Sequence, residues 1–187
     1  MALEVEIKIP VDSLEAVIKR LEQEGFRETE VYRETDTYFN SSYYDMKEKD
    51  KALRIRRSRN LKTGEEWAQL NCKGAKLDQI SMTRKELETE IREPEIIEEI
   101  LKELGFEPLS SQVIKIRHTL SNGEITAAAD RVEGLGEFLE LEIIAERESQ
   151  REACLEKIDR VLHAIGYKME QTVRTSYLSM LLGKKNK

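Results

Sequence analysis

Residues 4–9 read Glu-Val-Glu-Ile-Lys-Ile, an unbroken alternation of charge and hydrocarbon. The same two-residue period recurs down the chain. Arg54 and Arg56 flank Ile55, and Arg84, Glu86, Glu88 and Glu90 alternate with Lys85, Leu87 and Thr89. Lys115 and Arg117 flank Ile116, and Glu140 and Glu142 flank Leu141. Successive side chains of an extended strand point to opposite faces, so each segment predicts a strand with one charged and, for the most part, one apolar face.

The apolar partners include Val5, Ile7, Ile9, Leu53, Ile55, Leu70, Cys72, Ile114, Ile116, Leu139, Leu141 and Ile143, and that face has to be buried. The opposite face carries Glu4, Glu6, Lys8, Arg54, Arg56, Lys73, Arg84, Glu86, Glu88, Lys115, Arg117, Asp130, Glu140 and Glu142. An antiparallel sheet with one dry and one wet side accounts for any single strand. It accounts less well for like charges two residues apart, as in Glu4/Glu6, Arg54/Arg56, Lys115/Arg117 and Glu140/Glu142. Such neighbours repel unless something of opposite charge lies between them. Paired carboxylates suit a hard cation, and paired cations suit phosphate. The economical arrangement is a barrel turned inside out, with charges lining a wet tunnel and helices covering its exterior.

The helices are legible from period and punctuation. The first is expected from an N-cap at Asp12 or Ser13, through Leu14, Val17, Ile18 and Leu21, to Gly25. The second starts at Pro94, carries Ile96, Ile97, Ile100, Leu101 and Leu104, and stops at Gly105. The third starts near Ser149, carries Cys154, Leu155, Ile158, Val161, Leu162 and Ile165, and stops at Gly166. Each stop is a glycine followed by an aromatic residue, Phe26, Phe106 or Tyr167, expected to pack back onto the core. A fourth helix is expected around Ser176 to Leu182. Strands are expected over 2–9, 30–39, 51–59, 65–73, 81–91, 112–119, 124–131 and 136–145, with Ser121-Asn122-Gly123 as a hairpin turn. The fold class is therefore α+β: mostly antiparallel strands on one large sheet or barrel, with the charged face inside and helices packed on the outside. It forms a single domain over 1–183, followed by a basic tail over 184–187.

Composition excludes several functions. Charged residues make up 36% of the 187, yet the net charge is only -6, so both signs are abundant and interspersed. A net negative chain without a long basic run argues against nucleic acid as a partner. No stretch approaches the ~20 apolar residues of a membrane span, and the opening residues do not read as a signal peptide. The expectation is a cytoplasmic protein with no membrane partner. Cys72 and Cys154 form neither a disulfide framework nor a zinc spacing, and His118 and His163 have no neighbouring Cys or His.

The opening Glu4-Val5-Glu6-Ile7-Lys8 resembles the ExExK signature of the CYTH superfamily, the triphosphate tunnel metalloenzymes. Asp36-Thr37-Tyr38-Phe39 resembles its D-x-Y-F strand, and Leu53-Arg54-Ile55-Arg56 its L-R-I-R strand. Lys73-Gly74, Arg84-Lys85-Glu86-Leu87-Glu88 and Lys115-Ile116-Arg117 resemble its K-G, R-x-E-x-E and K-x-R elements. The stretch from Asp130 to Glu142 resembles D-x-V-x-G-L-G-x-F-x-E-I-E, and Ser176-Tyr177 the closing S-Y. The matches run in order along nearly the whole chain.

The resemblance implies an eight-stranded antiparallel β-barrel, open as a tunnel, holding Mg²⁺ or Mn²⁺ and a small-molecule triphosphate. It implies metal ligation by Glu4, Glu6, Glu140 and Glu142, with Asp130 and Glu86. Lys8, Arg54, Arg56, Lys73, Arg84, Lys115 and Arg117 would clamp the phosphate oxygens. Glu4, Glu6, Lys8, Lys73, Arg84, Lys115 and Glu140 are the expected catalytic set. The implied activity is that of a class IV adenylyl cyclase, converting ATP to cyclic AMP and pyrophosphate. Hydrolysis of a nucleoside, thiamine or inorganic triphosphate is the first alternative, and a non-catalytic sensor of a phosphorylated ligand the second. A homodimer is among the assemblies left open.

Overall fold

The computed structural model describes residues 3–75, 81 and 84–185. Residue 2 of the first expected strand, residues 82–83 of the fifth and residues 186–187 of the tail lie outside the described residues. In chain order the elements are β1 (Leu3–Val11), α1 (Leu14–Gln23), β2 (Arg27–Asn40), β3 (Ala52–Asn60), β4 (Glu66–Lys73) and β5 (Glu86–Ile91). They continue with α2 (Pro94–Glu103), β6 (Glu107–Pro108), β7 (Val113–Ser121), β8 (Thr126–Val132), β9 (Gly136–Ala145), α3 (Arg151–Ala164) and α4 (Tyr177–Lys185).

Eight long strands form one curled antiparallel sheet in the order β1-β9-β8-β7-β2-β3-β4-β5, with the two-residue β6 added against β2. The two edge strands approach each other, and the seam carries an isolated bridge between Glu4 and Arg84. The fold is thus the expected α+β barrel, with a seam between β1 and β5.

Helices α1 and α3 cover β1, β8 and β9 from outside. Val5, Ile7, Ile9, Leu139 and Leu141 pack there against Val17, Leu21, Ile158 and Leu162, all fully buried. Full burial of a side chain of this size is worth about 1.5–3 kcal/mol, so this face carries much of the stability. Helix α2 lays Leu101 over Ile55, Leu53 and Phe39. A third cluster joins Tyr38, Val113, Val132, Phe138 and Tyr177, with Leu178 and Leu181 of α4 packed against it.

The helix ends obey their sequence signals. Ser13 caps α1, its Oγ accepting from the Ala16 N–H at 3.3 Å. At the other end Gly25 takes φ +87°, open to glycine at no steric cost, and the Phe26 N–H turns back to the Leu21 carbonyl at 3.0 Å. The α2 and α3 ends repeat this with Phe106 to Leu101 and Tyr167 to Leu162, both at 2.8 Å. One expectation fails in part: Leu70 and Cys72 of β4 and Ile114 and Ile116 of β7 are only half-buried. Leu70 and Cys72 still pack against the cluster beneath α2, but neither it nor the cluster beneath α1 and α3 reaches Ile114 and Ile116.

Candidate functional site

On every long strand but β5 the alternation buries much of one face, and the other turns inward, onto a cavity of about 700 Å³. Lys8, Arg54, Arg56, Lys73, Arg84, Lys115 and Arg117 all line it, together with Glu4, Glu6, Glu86, Glu88, Glu140 and Glu142. Among the described residues ten lysines and arginines face seven carboxylates. A chain of net charge -6 therefore keeps an excess of positive charge at this lining, which favours an anion.

Strand register sets who faces whom. Asp36 pairs with Arg56 across β2 and β3. Its carboxylate accepts from Arg56 Nε at 2.7 Å and Nη2 at 2.8 Å, and from Arg54 Nη1 at 3.1 Å. Glu34 lies 3.3 Å from Arg56 Nη1 and 3.2 Å from Lys115 Nζ. Burial alone would raise both acids. For Glu34, Arg56 and Lys115 outweigh it and hold the pKa at about 2. For Asp36, Arg54 and Arg56 hold it well below the usual carboxylate range. These two acids stand behind the cations and aim the guanidinium groups inward.

Across β7 from these acids, Asp130 of β8 is fully buried. It accepts from Arg117 Nε at 2.7 Å and Nη2 at 2.6 Å, from Lys115 Nζ at 3.3 Å and from the Tyr177 hydroxyl at 3.0 Å. Four donors occupy its two oxygens, and the carboxylate lies behind the cavity lining. Glu140 does line the cavity and accepts from Arg117. Burial pushes its pKa up, but Arg117, Lys115 and Lys8 more than reverse this and keep it low.

The remaining acids form a different group. Glu6 of β1 and Glu142 of β9 face each other in register. Burial raises the pKa of both; the Glu140 carboxylate raises Glu6 further, and Glu6 raises Glu142 further. Burial likewise pushes Glu4 up to about 9, against the pull of Lys73, while Glu86 beside it is held at about 2 by Glu4, Lys73 and Arg54 despite burial. Lys73 Nζ sits 2.7 Å from Glu86 Oε2 and 3.4 Å from Glu4 Oε2. This is the crowded, carboxylate-rich part of the cavity.

Several lining residues carried no sequence signal. Lys47, Asp50 and Lys51 come from the β2–β3 loop, and Arg174 and Thr175 from the approach to α4. A loop has no two-residue period to betray which way a side chain points. Glu34 and Asp36 were missed as structural partners, although their two-residue spacing on an expected strand is the signal that marked the other pairs.

The sequence matches the CYTH domain family over residues 2–177. A protein of Methanocaldococcus jannaschii, provisionally named an adenylate cyclase, is 36% identical over 178 residues, covering 95% of this chain and 98% of the relative. A Pyrococcus horikoshii protein of solved structure superposes with a TM-score of 0.87 at 32% identity, covering 97% of this chain and 99% of the other. A Hippeastrum protein, described as a provisional adenylyl cyclase with a dominant triphosphatase activity, superposes with a TM-score of 0.67 at 15% identity. It covers 98% of this chain and 96% of its own. At that identity the likeness speaks for the fold alone.

Proposed function

This chain belongs to the CYTH domain family, and we propose that it is a metal-dependent enzyme that takes a triphosphate into its barrel. The observation that carries the reading is the division of charge within one cavity. Excess cations line it, and one carboxylate-rich region remains under mutual repulsion.

The donor chemistry fits Mg²⁺ or Mn²⁺. Glu4, Glu6, Glu142 and Glu86 are hard oxygen donors crowded by burial, and a dication would relieve their repulsion. Among the described residues no three such side chains already converge as a ligand set, so the fit lies in their chemistry and proximity. Bound there, the ion would neutralise charge on phosphate oxygens. Asp130, with four donors on it, serves better as an anchor for Lys115 and Arg117 than as a ligand. Glu140 likewise holds Arg117.

The cations do the rest. Lys8, Arg54, Arg56, Arg84, Lys115 and Arg117 bind and orient the phosphate chain and stabilise charge gathering on the leaving group. Such chemistry needs positioning and neutralisation rather than a protein nucleophile. We assign the reaction first to cyclisation of ATP to cyclic AMP and pyrophosphate, supported by the name of the M. jannaschii relative. Hydrolysis of a triphosphate is the second reading, and one observation favours it. Among the described residues the aromatic rings on the lining are Tyr38 and Tyr177, each less than a tenth exposed, which leaves little ring face for a base to stack on.

A product assay separates these. ATP, thiamine triphosphate and tripolyphosphate are each incubated with Mg²⁺ and with Mn²⁺. Cyclic AMP with pyrophosphate from ATP supports the cyclase, and orthophosphate supports the hydrolase. Tight binding with neither product from either metal would overturn the enzyme reading in favour of a sensor.

A further inference from the structure

Tyr177 stands where three strands of the cavity wall converge. Its ring lies under two ammonium groups, Lys8 Nζ at 4.4 Å and Lys115 Nζ at 5.5 Å from the centroid. Its hydroxyl donates to Asp130 Oδ2 at 3.0 Å. Asp130 in turn holds Arg117 through two hydrogen bonds. One side chain therefore touches β1 through Lys8, β7 through Lys115 and β8 through Asp130.

The ring is itself firmly placed. It is the first residue of α4, and Ser176 caps that helix by accepting from the Ser179 N–H at 3.2 Å. Phe138 meets the ring edge-to-face at 5.1 Å and 62°. The Val173 N–H donates to the Lys8 carbonyl at 2.7 Å, tying the approach to α4 to the strand that carries Lys8. An ordinary buried tyrosine needs only a partner for its hydroxyl. Here the negative ring face is also occupied, by a lysine whose ion-pair partner Glu140 is as far as 4.0 Å away. Lys8 is 2% exposed, so the ring supplies compensation that solvent cannot.

We propose that Tyr177 is a positioning residue of the triphosphate clamp: its ring holds the Lys8 and Lys115 ammonium groups toward the cavity, and its hydroxyl keeps Asp130 set for Arg117. The inference rests on the triphosphate reading given above. It makes the docking of α4 part of ligand binding, because the helix delivers the residue that arranges cations on two other elements.

The test compares Tyr177→Phe and Tyr177→Leu with the wild type by calorimetric titration of tripolyphosphate in Mg²⁺, with a thermal melt of each protein as the folding control. Tyr177→Phe keeps the ring and loses only the hydroxyl's hold on Asp130, so it should bind roughly threefold more weakly than wild type. Tyr177→Leu should bind roughly tenfold more weakly, about what one desolvated cation–π contact supplies. A double-mutant cycle with Lys8→Met separates positioning from bulk packing. If the ring acts through Lys8, removing it should weaken binding much less in the Lys8→Met background than in the wild type. Equal affinity of Tyr177→Leu and wild type, or an undiminished effect in the Lys8→Met background, overturns the proposal. Should Tyr177→Leu fail to fold, Tyr177→Met replaces it in the same cycle, with the same expected losses. If the wild type itself does not bind tripolyphosphate, the triphosphate reading fails and this inference with it. If the wild type binds and the variants match it, only the positioning role falls.

Discussion

Glu34 and Asp36 sit behind Arg54, Arg56 and Lys115, 5% and 1% exposed, and their charges are balanced within the wall. Because the folded pKa of Glu34 lies at about 2, the unfolded chain binds more protons than the folded one between its ordinary value and there. The stability this acid contributes is therefore present above about pH 4.5 and is lost as pH falls through about 2. The melting temperature should drop across that interval. Glu34→Gln should be destabilised at pH 7, by roughly 3–5 kcal/mol if the cations are left uncompensated, and its deficit should narrow toward pH 2. A deficit independent of pH would mean that packing, not charge, holds the residue. A second pair of variants separates roles on the lining. Glu6→Gln keeps shape but removes charge from the carboxylate cluster, so turnover should collapse even at saturating substrate. Arg117→Ala should chiefly weaken binding, with some loss of turnover if the guanidinium also meets the leaving group. Steady-state kcat and KM for both variants decide between these outcomes. The sequence made the lining legible because a charge at every second residue leaves no choice of face once its neighbours are buried. It did not tell an acid that faces the cavity from one that braces a cation behind it. Asp130 and Glu142 carry the same group, and only the partners folding brings to them separate the two.

At the scale of elements, the barrel works by dividing labour between faces of one strand. Ile7 is fully buried beneath α1 and α3, while Glu6 and Lys8 on either side line the cavity. Ile7→Ala should cost about 2–5 kcal/mol of unfolding free energy, and the folded fraction should bind triphosphate as the wild type does. Denaturant unfolding followed by titration below the midpoint checks both halves, and a binding defect equal to that of an inner-face variant would contradict the division. The helices were legible because caps, glycine stops and apolar spacing agree at each of them. β6 was not, since two residues ending in a proline carry no period. The β2–β3 loop was not either, although Met46 anchors it in the core under α2 and it brings Lys47 and Lys51 to the lining. The half-exposure of Ile116 depends on where helices are not, and a strand's own sequence does not record that.

For the molecule as a whole, an acidic chain encloses a cavity with an excess of cations, so the native state stores repulsion that a matched ligand relieves. A ligand bound by the folded state alone raises stability by mass action, about 2.7 kcal/mol at a hundredfold excess over its dissociation constant. The thermal midpoint should therefore rise with tripolyphosphate, and rise further with Mg²⁺ present. The direct test is calorimetric titration of the wild-type protein with tripolyphosphate, with and without Mg²⁺. The account predicts saturable binding at one site, tighter with the metal and weaker as salt increases. Absence of binding under both conditions, or binding unchanged in Glu6→Gln and Arg117→Ala, would contradict the claim that the inward charges of this barrel form a metal-assisted triphosphate site.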